Sequence, residues 1–529
     1  MFSWVRSSLR HAFPDYTQRG RIFRRAAAKI GLLRDPSWSR TYYDWVRKVE
    51  PGLFLPPCRM EGETPLISVV VPFFNTPDRY AQPLLDSISS QSYQRWELIM
   101  ADASTDEVAS RRIEGYARRD PRFVYVRLAT NAGIASNTNE AIRHARGTYI
   151  GFADHDDVLS PYALNEVAAV IGEGEEVDIL YSDEDVLSED GLLRKGPFFK
   201  PAWSPHMFLE MNYTNHLSVI RRSLIDEVGG LRPDEDGAQD YDLLLRIHAL
   251  GRPMRVRHIP KILYHWREAE HSTARDISTK TYAIDAGRRA LREYLRAVSV
   301  DSEETSDVEG RPGWYRIRPR RACTVLVIVS VSPDPRLNRD ATREMEANTK
   351  GKWAIPVFET VPPGTDLKDF AAARTEDIVV IQRCRCLPEE PTWLDDLTGV
   401  VALPGTAAAA PLIVDERGAV VNSGLVSEDG RLAPLYPGCP VVSGGMAGPA
   451  DLVRDADGLS AHLVAFPRST PHDALWSNAD INRTDCEGNL VVWGHTKVIR
   501  RPLAHPDGIL NPCLDLAGTD VVLRGPEEA

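Results

Sequence analysis

The first half of the chain alternates short apolar runs with segments of helical periodicity. The predicted strands are 66–74, 96–102, 123–129 and 149–154, and the helices predicted between them are 81–91, 110–120 and 134–145. Apolar strands separated by helices are typical of α/β domains with a mainly parallel sheet. Ligands of such sheets bind beyond the carboxyl ends of the strands, so the polar residues that follow these strands should line one crevice.

The pattern partly repeats in the second half. Residues 323–334 resemble the first strand and its turn, and residues 376–397 resemble the fourth strand with the proline and helix that follow it. Residues 299–313, which are acidic and poor in strand formers, separate the halves and predict a linker. A weak internal duplication is one interpretation, and an unrelated second α/β domain is the other. The expected divisions are N-terminal helices over 1–62, a catalytic domain over 63–298, a linker over 299–320 and a C-terminal domain over 321–529.

Composition and charge narrow the classes of function. The chain has 529 residues, more than one hydrophobic core usually holds, and its net charge of -12 argues against a nucleic-acid partner. Residues 1–50 contain eleven Lys and Arg against four Asp and Glu, a local balance of +7. Their basic amphipathic helices could lie on an anionic membrane surface or on the protein's own acidic body. The sequence does not decide whether the protein forms a homo-oligomer.

The chain has no recognisable secretory signal, and its apolar runs are shorter than the roughly 20 residues of a spanning helix. Seven scattered cysteines suit a reducing compartment, and Cys384 with Cys386 alone is a poor zinc signal. These features predict a cytoplasmic protein, with peripheral contact at the cytoplasmic face of the inner membrane left open.

The fourth predicted strand ends in an acidic turn, "GFADHDDVLSP". Asp154, Asp156 and Asp157 repel one another unless water, a cation or a partner compensates their charge. Mg²⁺ and Mn²⁺ prefer oxygen ligands and often share them with a substrate diphosphate, so the turn is a candidate metal site. A solvated acidic turn is the plainer interpretation. The nucleophile strand of haloacid-dehalogenase-type phosphatases also fits, but that strand normally opens its domain, whereas three strand–helix units precede this one.

Several motifs occur in an order that identifies a family. They are "PLISVVVPFFNTPD", "NAGIASNTNEAI", "ILYSDED", "PFFKPAWSPH", "GAQDYDLLLRI" and "HIPKILYHWR". Over about residues 64–300 the chain resembles family 2 glycosyltransferases, especially large two-domain bacterial enzymes of surface-polysaccharide assembly. The resemblance implies a GT-A fold with a Rossmann-like, mainly parallel sheet. The second half would then be a degenerate GT-A-like domain.

The resemblance also implies roles for particular residues. The candidates for binding the nucleotide sugar are Pro72, Asn75, Asp102, Asp154, Asp157 and Asp183. Mn²⁺ or Mg²⁺ is assigned mainly to Asp156, with His265 as a further ligand. The catalytic base matches Asp240, with Asp242 as the alternative. Simpler interpretations stay open: Asp240 or Asp242 as a helix cap, His265 as a packed core residue and Asp183 as part of an acidic turn.

The expected function is inverting transfer of a sugar from a nucleotide-diphosphate donor, with UDP as the expected carrier. The expected acceptor is a hydroxyl of a lipid-linked bacterial cell-surface glycan. A phosphatase and a non-catalytic glycan-binding scaffold are the alternatives. The C-terminal half is expected to be non-catalytic, because "RCRCLP" (383–388) offers no oxygen side chains where the first half has its aspartates.

Overall fold

The computed structural model describes most of the chain between residues 38 and 500. The described ranges are 38–54, 64–174, 176–268, 281–308, 311–361, 365–428, 431–434, 454–476, 481–482 and 489–500. The basic helices predicted before residue 38 lie outside these ranges. The chain divides into two compact units, with the boundary between Arg318 and Pro319.

The first unit alternates strands and helices, as the hydrophobic pattern predicts. Its helices are α1 Trp38–Lys48, α2 Asp78–Ser89, α3 Glu107–Ala117, α4 Ile134–His144, α5 Ala163–Ile171, α6 Pro205–Phe208, α7 Arg222–Glu227, α8 Gln239–His248 and α9 Thr281–Ala297. Its strands are β1 Ile67–Phe73, β2 Trp96–Asp102, β3 Phe123–Arg127, β4 Tyr149–Phe152, β5 Val158–Leu159, β6 Ile179–Leu187, β7 Arg194–Phe198, β8 Ser218–Arg221, β9 Val256–Arg267, β10 Ser302–Val308 and β11 Arg311–Pro319. The four strands predicted first correspond to β1, β2, β3 and β4.

The main sheet of this unit has the order β3-β2-β1-β4-β8-β6-β9-β5, with β7 paired to β6. Strands β1 to β4 are parallel where they pair, and β8 runs antiparallel to both β4 and β6. The carboxyl ends of β1, β2 and β4 therefore share an edge with the beginning of β8. Side chains such as Val69 and Leu98 are fully buried in the core beneath this edge.

The segment predicted to be a strand-poor linker contains β10 and β11, which pair as a two-stranded sheet. In β11, Tyr315 and Ile317 are buried while their neighbours are partly exposed. This period-two alternation is the signature of a half-buried strand, and the acidic composition of the preceding residues obscured it. The prediction that this segment is poor in strands is wrong.

The second unit is also an α/β domain. Its helices are α10 Pro335–Ala347, α11 Leu367–Ala372 and α12 Trp393–Val401. Its strands are β12 Cys323–Val329, β13 Ala354–Thr360, β14 Ile378–Gln382, β15 Cys386–Pro388, β16 Thr406–Val414, β17 Val420–Asn422, β18 Leu425–Glu428, β19 Arg431–Pro434, β20 Arg454–Ala456, β21 Gly458–Leu459, β22 Leu463–Pro467, β23 Ile481–Asn482 and β24 Asn489–Arg500.

The large sheet of the second unit repeats the strand order of the first, except that it has no counterpart of β3 and adds β20 on β24. Its order is β13-β12-β14-β22-β16-β24-β15, with β17 on β16, against β2-β1-β4-β8-β6-β9-β5, with β7 on β6. Each parallel or antiparallel pairing is the same in both sheets. The predicted duplication is therefore confirmed at the level of fold. Among the described residues, no helix is both long and apolar enough to cross a bilayer.

Candidate active site

The acidic turn joins β4 to β5 at the shared edge of the first sheet. Its three carboxylates differ in exposure, since the side chain of Asp154 is 45% exposed, that of Asp156 is 19% exposed and Asp157 is fully buried. The turn therefore offers two carboxylates to the crevice and keeps the third inside.

Asp157 supports the turn from below. Its Oδ2 accepts a hydrogen bond of 2.6 Å from the Tyr264 hydroxyl, and its Oδ1 accepts one of 2.7 Å from the backbone N–H of Arg267. The Tyr264 hydroxyl in turn accepts the backbone N–H of Asp154 at 3.0 Å. Burial raises the pKa of Asp157 well above its usual range, and the charges of Asp154 and Asp156 add to the rise. Asp157 therefore shapes the turn from β9 and does not face the crevice.

Asp156 is the better candidate for holding a cation. Burial raises the pKa of its carboxyl, His155 opposes the rise and the charge of Asp154 adds to it. A partly exposed carboxylate such as Asp156, with Asp154 beside it, fits a hard divalent cation. Mg²⁺ commonly takes one or two carboxylates and completes its shell with phosphate oxygens and water. In the described ranges, no group of three or more His, Cys, Asp and Glu side chains could hold a metal ion.

His265, the predicted second metal ligand, contacts Asp185 in β6 and not the acidic turn. Tyr264 and His265 are neighbours in β9, so their side chains point to opposite faces of the sheet, and it is Tyr264 that contacts the acidic turn. His265 Nδ1 lies 2.6 Å from Oδ1 of the buried Asp185, its register partner in β6. The structure therefore does not assemble Asp156 and His265 into a metal site, and His265 matches the interpretation as a packed residue.

Asp185 also anchors the N-terminal helix α1. Its Oδ2 accepts hydrogen bonds of 2.6 Å from the Tyr42 hydroxyl and from Arg194 Nε. Arg194 holds the carboxylate of Glu50, just after α1, with two further bonds of 2.6 and 2.7 Å. Although burial opposes ionisation, the charge of His265 and these partners lower the pKa of Asp185. Residues 38–52 are thus tied to the first sheet by a buried charged cluster.

A second histidine, His216, lies at the acidic turn and was missed from the sequence. It precedes β8, and its Nε2 is 3.8 Å from Oδ2 of Asp154. Its Nδ1 is 3.2 Å from Oε2 of Glu184, and its ring stacks on Tyr264 with centroids 4.9 Å apart. Burial alone would lower the pKa of His216, but Glu184 and the charges of Asp154 and Asp157 raise it to about 9. The segment "NYTNHLS" has no periodicity that could have identified this position, which depends on pairing between distant strands.

Asp240, the predicted base, lies in the first turn of α8 and is partly buried. Its Oδ2 accepts a hydrogen bond of 3.3 Å from Asn212 Nδ2. Burial raises the pKa of Asp240, the Tyr241 N–H and the charge of His216 oppose the rise, and the charge of Asp154 adds to it. Asp240, His216 and Asp154 are thus within electrostatic range of one another, although they are far apart in sequence.

Asp242, the alternative base, is engaged elsewhere. Its side chain is 1% exposed and forms ion pairs with Arg232 and Arg246. Residues two apart on a helix point about 200° apart, so Asp242 faces away from Asp240. With its oxygens bound by two guanidinium groups, Asp242 is a structural carboxylate.

The residues predicted to hold the nucleoside lie at the ends of β1 and β2. Asn75 is exposed with φ 48°, and its Oδ1 accepts the backbone N–H groups of Thr105 and Asp106 at 2.8 and 3.1 Å. Asn75 thus ties the loop after β1 to the loop after β2. Pro72 is partly exposed and pairs in register with Ala101.

Asp102 is buried, and its oxygens are used by the protein. Tyr125 and Arg127 donate to Oδ2 at 2.8 and 2.9 Å, and the Ser104 N–H donates to Oδ1 at 2.9 Å. Burial opposes ionisation, but the hydrogen bonds from Ser104 and its neighbours lower the pKa of Asp102. A base that contacts this carboxylate would have to share or displace one of these donors.

Asp183 is buried in β6, where its Oδ1 receives the Lys200 N–H and lies 2.8 Å from His258 Nε2. This arrangement agrees with the plainer interpretation of "SDED" as structural. It gives no support to the predicted sugar contact.

In the second unit, the turn between β14 and β15 takes the place of the acidic turn. Arg383 donates to the carbonyls of Ala461 and Trp476 at 3.2 Å, and Arg385 donates to Glu344 in α10. Burial lowers the pKa of Arg383 to about 10. The described residues between β22 and β24 contain a 3₁₀ turn, Asp473–Trp476, where the first unit has α8. The turn between β14 and β15 is thus built from guanidinium groups and a thiol, and its own residues offer no carboxylate.

The chain is similar to several known proteins. The family described as Glycosyl transferase family 2 matches residues 68–229, which include the acidic turn and His216. The chain is 37% identical over 492 residues to "Uncharacterized protein y4gI" of Sinorhizobium fredii, covering 83% of this chain and 53% of that protein. It is 31% identical over 397 residues to "O-antigen biosynthesis protein RfbC" of Myxococcus xanthus, covering 68% of this chain and 30% of that protein. The chain thus spans about half or less of these relatives.

A solved structure similar to the chain is that of Staphylococcus aureus TarS, residues 1–349, in complex with UDP-GlcNAc. It is 21% identical, covers 44% of this chain and 66% of that chain, and has a TM-score of 0.36.

Proposed function

Residues 68–229 form a family 2 glycosyltransferase domain within a GT-A fold, and on that premise we propose that the chain transfers a sugar from a nucleoside diphosphate to a glycan hydroxyl. The observation that best supports this proposal is that the acidic turn and Asp240 converge at one edge of the first sheet. Two partly exposed carboxylates suit a cation-bound diphosphate, and a carboxylate with a raised pKa suits proton removal.

The proposed reaction is a single displacement with inversion. Asp240 accepts the proton of the acceptor hydroxyl while the acceptor oxygen forms a bond to the anomeric carbon. The bond between that carbon and the diphosphate oxygen breaks, and its electron pair stays on the diphosphate. The hydrogen bond from Asn212 orients the Asp240 carboxylate, and the N-terminus of α8 stabilises the ionised form that accepts the proton.

Asp156 would hold Mn²⁺ or Mg²⁺, with Asp154 directed to the ribose. When bound, the cation would neutralise charge that develops on the departing diphosphate. We assign the nucleoside to the surface around Pro72, Asn75 and Asp102, with UDP as the proposed carrier. The donor site then runs along the carboxyl ends of β1, β2 and β4.

A bacterial cell-surface glycan, carried on lipid, is the proposed acceptor. The RfbC relative carries the name of an O-antigen biosynthesis protein, which supports this class of acceptor. Because the chain covers 30% of that protein, the acceptor and the linkage belong to the proposal. For the second unit we propose a non-catalytic role.

A panel of nucleotide sugars tests the function directly. Purified protein is incubated with each donor and Mn²⁺, and release of the nucleoside diphosphate is measured with and without EDTA. We expect one donor to be hydrolysed slowly without acceptor and the signal to fall with EDTA. Absence of both turnover and binding for every donor would contradict the proposal, and phosphate release from a simple phosphoester would favour the phosphatase.

A further inference from the structure

His216 occupies a position at the site that the mechanism above does not use. It stands two residues before Ser218, which pairs with Phe152 at the end of β4 and with Tyr181 in β6. Because β8 runs against both neighbours, its beginning emerges at the edge where β4 enters the acidic turn. The side chain is 22% exposed, so part of the ring reaches the crevice.

The ring is fixed from behind. Oε2 of Glu184 lies 3.2 Å from Nδ1 and also accepts the backbone N–H of His216 at 2.6 Å. Tyr264 stacks on one face of the ring, and Trp266 lies 5.7 Å away between ring centroids. Because Nδ1 faces the carboxylate of Glu184 and the ring is stacked on Tyr264, Nε2 points toward Asp154.

Lys200 holds Glu184 in place. Its side chain is fully buried, and its Nζ lies 3.6 Å from Glu184 Oε2 and donates to the backbone carbonyl of His216 at 2.9 Å. Burying a lysine is costly unless its charge is compensated. Lys200 therefore compensates the charge of Glu184 and fixes the backbone at His216.

The negative charge of the crevice indicates what the Glu184–His216 pair could contribute. Asp154, Asp156 and Asp240 all present negative charge, so an entering diphosphate would meet repulsion. Arg267 is nearby but is 2% exposed and donates to the backbone carbonyl of Asp156. A carboxylate near each ring nitrogen of His216 favours an imidazole that carries both protons, which makes Nε2 a donor facing the crevice.

We propose that His216, within the transferase site inferred above, binds the diphosphate of the donor through its Nε2–H, with Glu184 as its positioning residue. As the bond to the anomeric carbon breaks, the electron pair moves to a diphosphate oxygen. A fixed N–H aimed at that oxygen stabilises the added charge. The proton that leaves the acceptor goes to Asp240 and not to His216, so the two residues serve opposite ends of the displacement.

The test compares binding of a nucleoside diphosphate with binding of the matching nucleoside. Wild type is first titrated with UDP, GDP and dTDP by isothermal titration calorimetry, and the diphosphate that binds most tightly is used. For His216→Ala we expect about a 10- to 100-fold loss of diphosphate affinity, the range for a hydrogen bond to a charged group, and unchanged nucleoside affinity. Glu184→Gln should show a smaller loss of the same selectivity. His144→Ala, on the exposed surface of α4, is the matched control and should bind as wild type does.

Each outcome separates this inference from the proposed function. If wild type binds none of the diphosphates, the proposed function fails. If wild type binds and His216→Ala binds equally well, only the role of His216 fails. Every titration is run with EDTA and again with Mn²⁺. A loss seen only with Mn²⁺ would make His216 a metal ligand, and an equal loss of nucleoside affinity would make it a structural residue, so either result overturns the proposal.

Discussion

The two units share the order of their sheet strands but carry side chains of opposite charge at the equivalent turn. Between β4 and β5 the first unit carries Asp154, Asp156 and Asp157, whereas between β14 and β15 the second carries Arg383, Cys384 and Arg385. In the first unit, Tyr264 and Arg267 of β9 hold the turn so that two carboxylates face outward. In the second, the arginines hold the turn themselves by binding backbone carbonyls and Glu344. Strand order therefore specifies where a site can be, and the turn residues specify whether one exists.

The largest effect should come from Asp240. In Asp240→Asn the general base is lost, so the turnover number should fall about 10²- to 10⁴-fold. Binding of the nucleoside diphosphate should stay near wild type, and steady-state kinetics with calorimetric titration measure the two quantities. At neutral pH the stability should not fall, because the amide removes a carboxylate whose pKa burial raises. Transfer at the wild-type rate would exclude Asp240 as the base and would open the second unit as a source of catalysis.

Asp242→Asn is the matched contrast on the same helix. It leaves Arg232 and Arg246 without their shared carboxylate, and the free energy of unfolding should fall by about 2–4 kcal/mol. Denaturant titration measures this loss, and the turnover of the folded fraction should be close to wild type. A stable protein that has lost turnover would contradict the assignment of Asp242 as structural.

Asp156→Ala tests whether the acidic turn binds a cation. Because the substitution removes the partly buried carboxylate assigned to the ion, nucleoside diphosphate affinity in Mn²⁺ should fall at least about tenfold. In EDTA the variant and wild type should bind alike. An equal loss in both conditions would mean that Asp156 contacts the nucleotide or shapes the site without a metal.

Arg383→Ala probes the second unit at the equivalent turn. It leaves the carbonyls of Ala461 and Trp476 without their guanidinium donor, so the unfolding free energy should fall by about 1–3 kcal/mol. Transfer by the folded protein should be unchanged. A clear loss of transfer without a loss of stability would show that this turn takes part in the reaction and that the second unit is not silent.

The smallest effect is in the pH dependence. The raised pKa of Asp240 means that the base stays protonated to a higher pH than an ordinary aspartate, whose pKa is about 3.9. As pH rises through this pKa, the carboxylate ionises and kcat/KM should increase. The acid limb of the profile should therefore lie above about pH 4. A limb at or below that value would mean that burial does not control this group.

Much of the fold could be predicted from the sequence, because the patterns that indicate strands and helices are local. The apolar runs of β1, β2, β3 and β4 are continuous, and the carboxyl-end rule alone brought Asn75, Asp102 and Asp154 to one edge. The internal duplication was also visible as a repeated order of strands and turns. The strand signals depend on periodicity within about ten residues, and the duplication is a repeat of those local signals, so a single sequence records both.

The site was less accessible, because its contacts join distant strands. His216 and His265 look alike in sequence, yet β8 delivers the first to Asp154 while the register of β9 turns the second toward Asp185. Asp240 and Asp242 are both first-turn acids, and only the positions of Arg232 and Arg246 distinguish them. Asp102 ends a strand as expected, but the donors that occupy its oxygens come from β3 and from the loop that follows β2. Such differences are set by tertiary pairing.

The anchoring of α1 has a practical consequence for dividing the protein. A fragment that began at β1, the natural starting point from strand patterns, would lack Tyr42 and Glu50. Asp185 would then lose one of its donors and Arg194 would lose its second carboxylate, both in a region that water hardly reaches. A fragment intended to represent the first unit therefore has to retain residues 38–52, and the choice of its first residue becomes a question of charge balance as well as chain length.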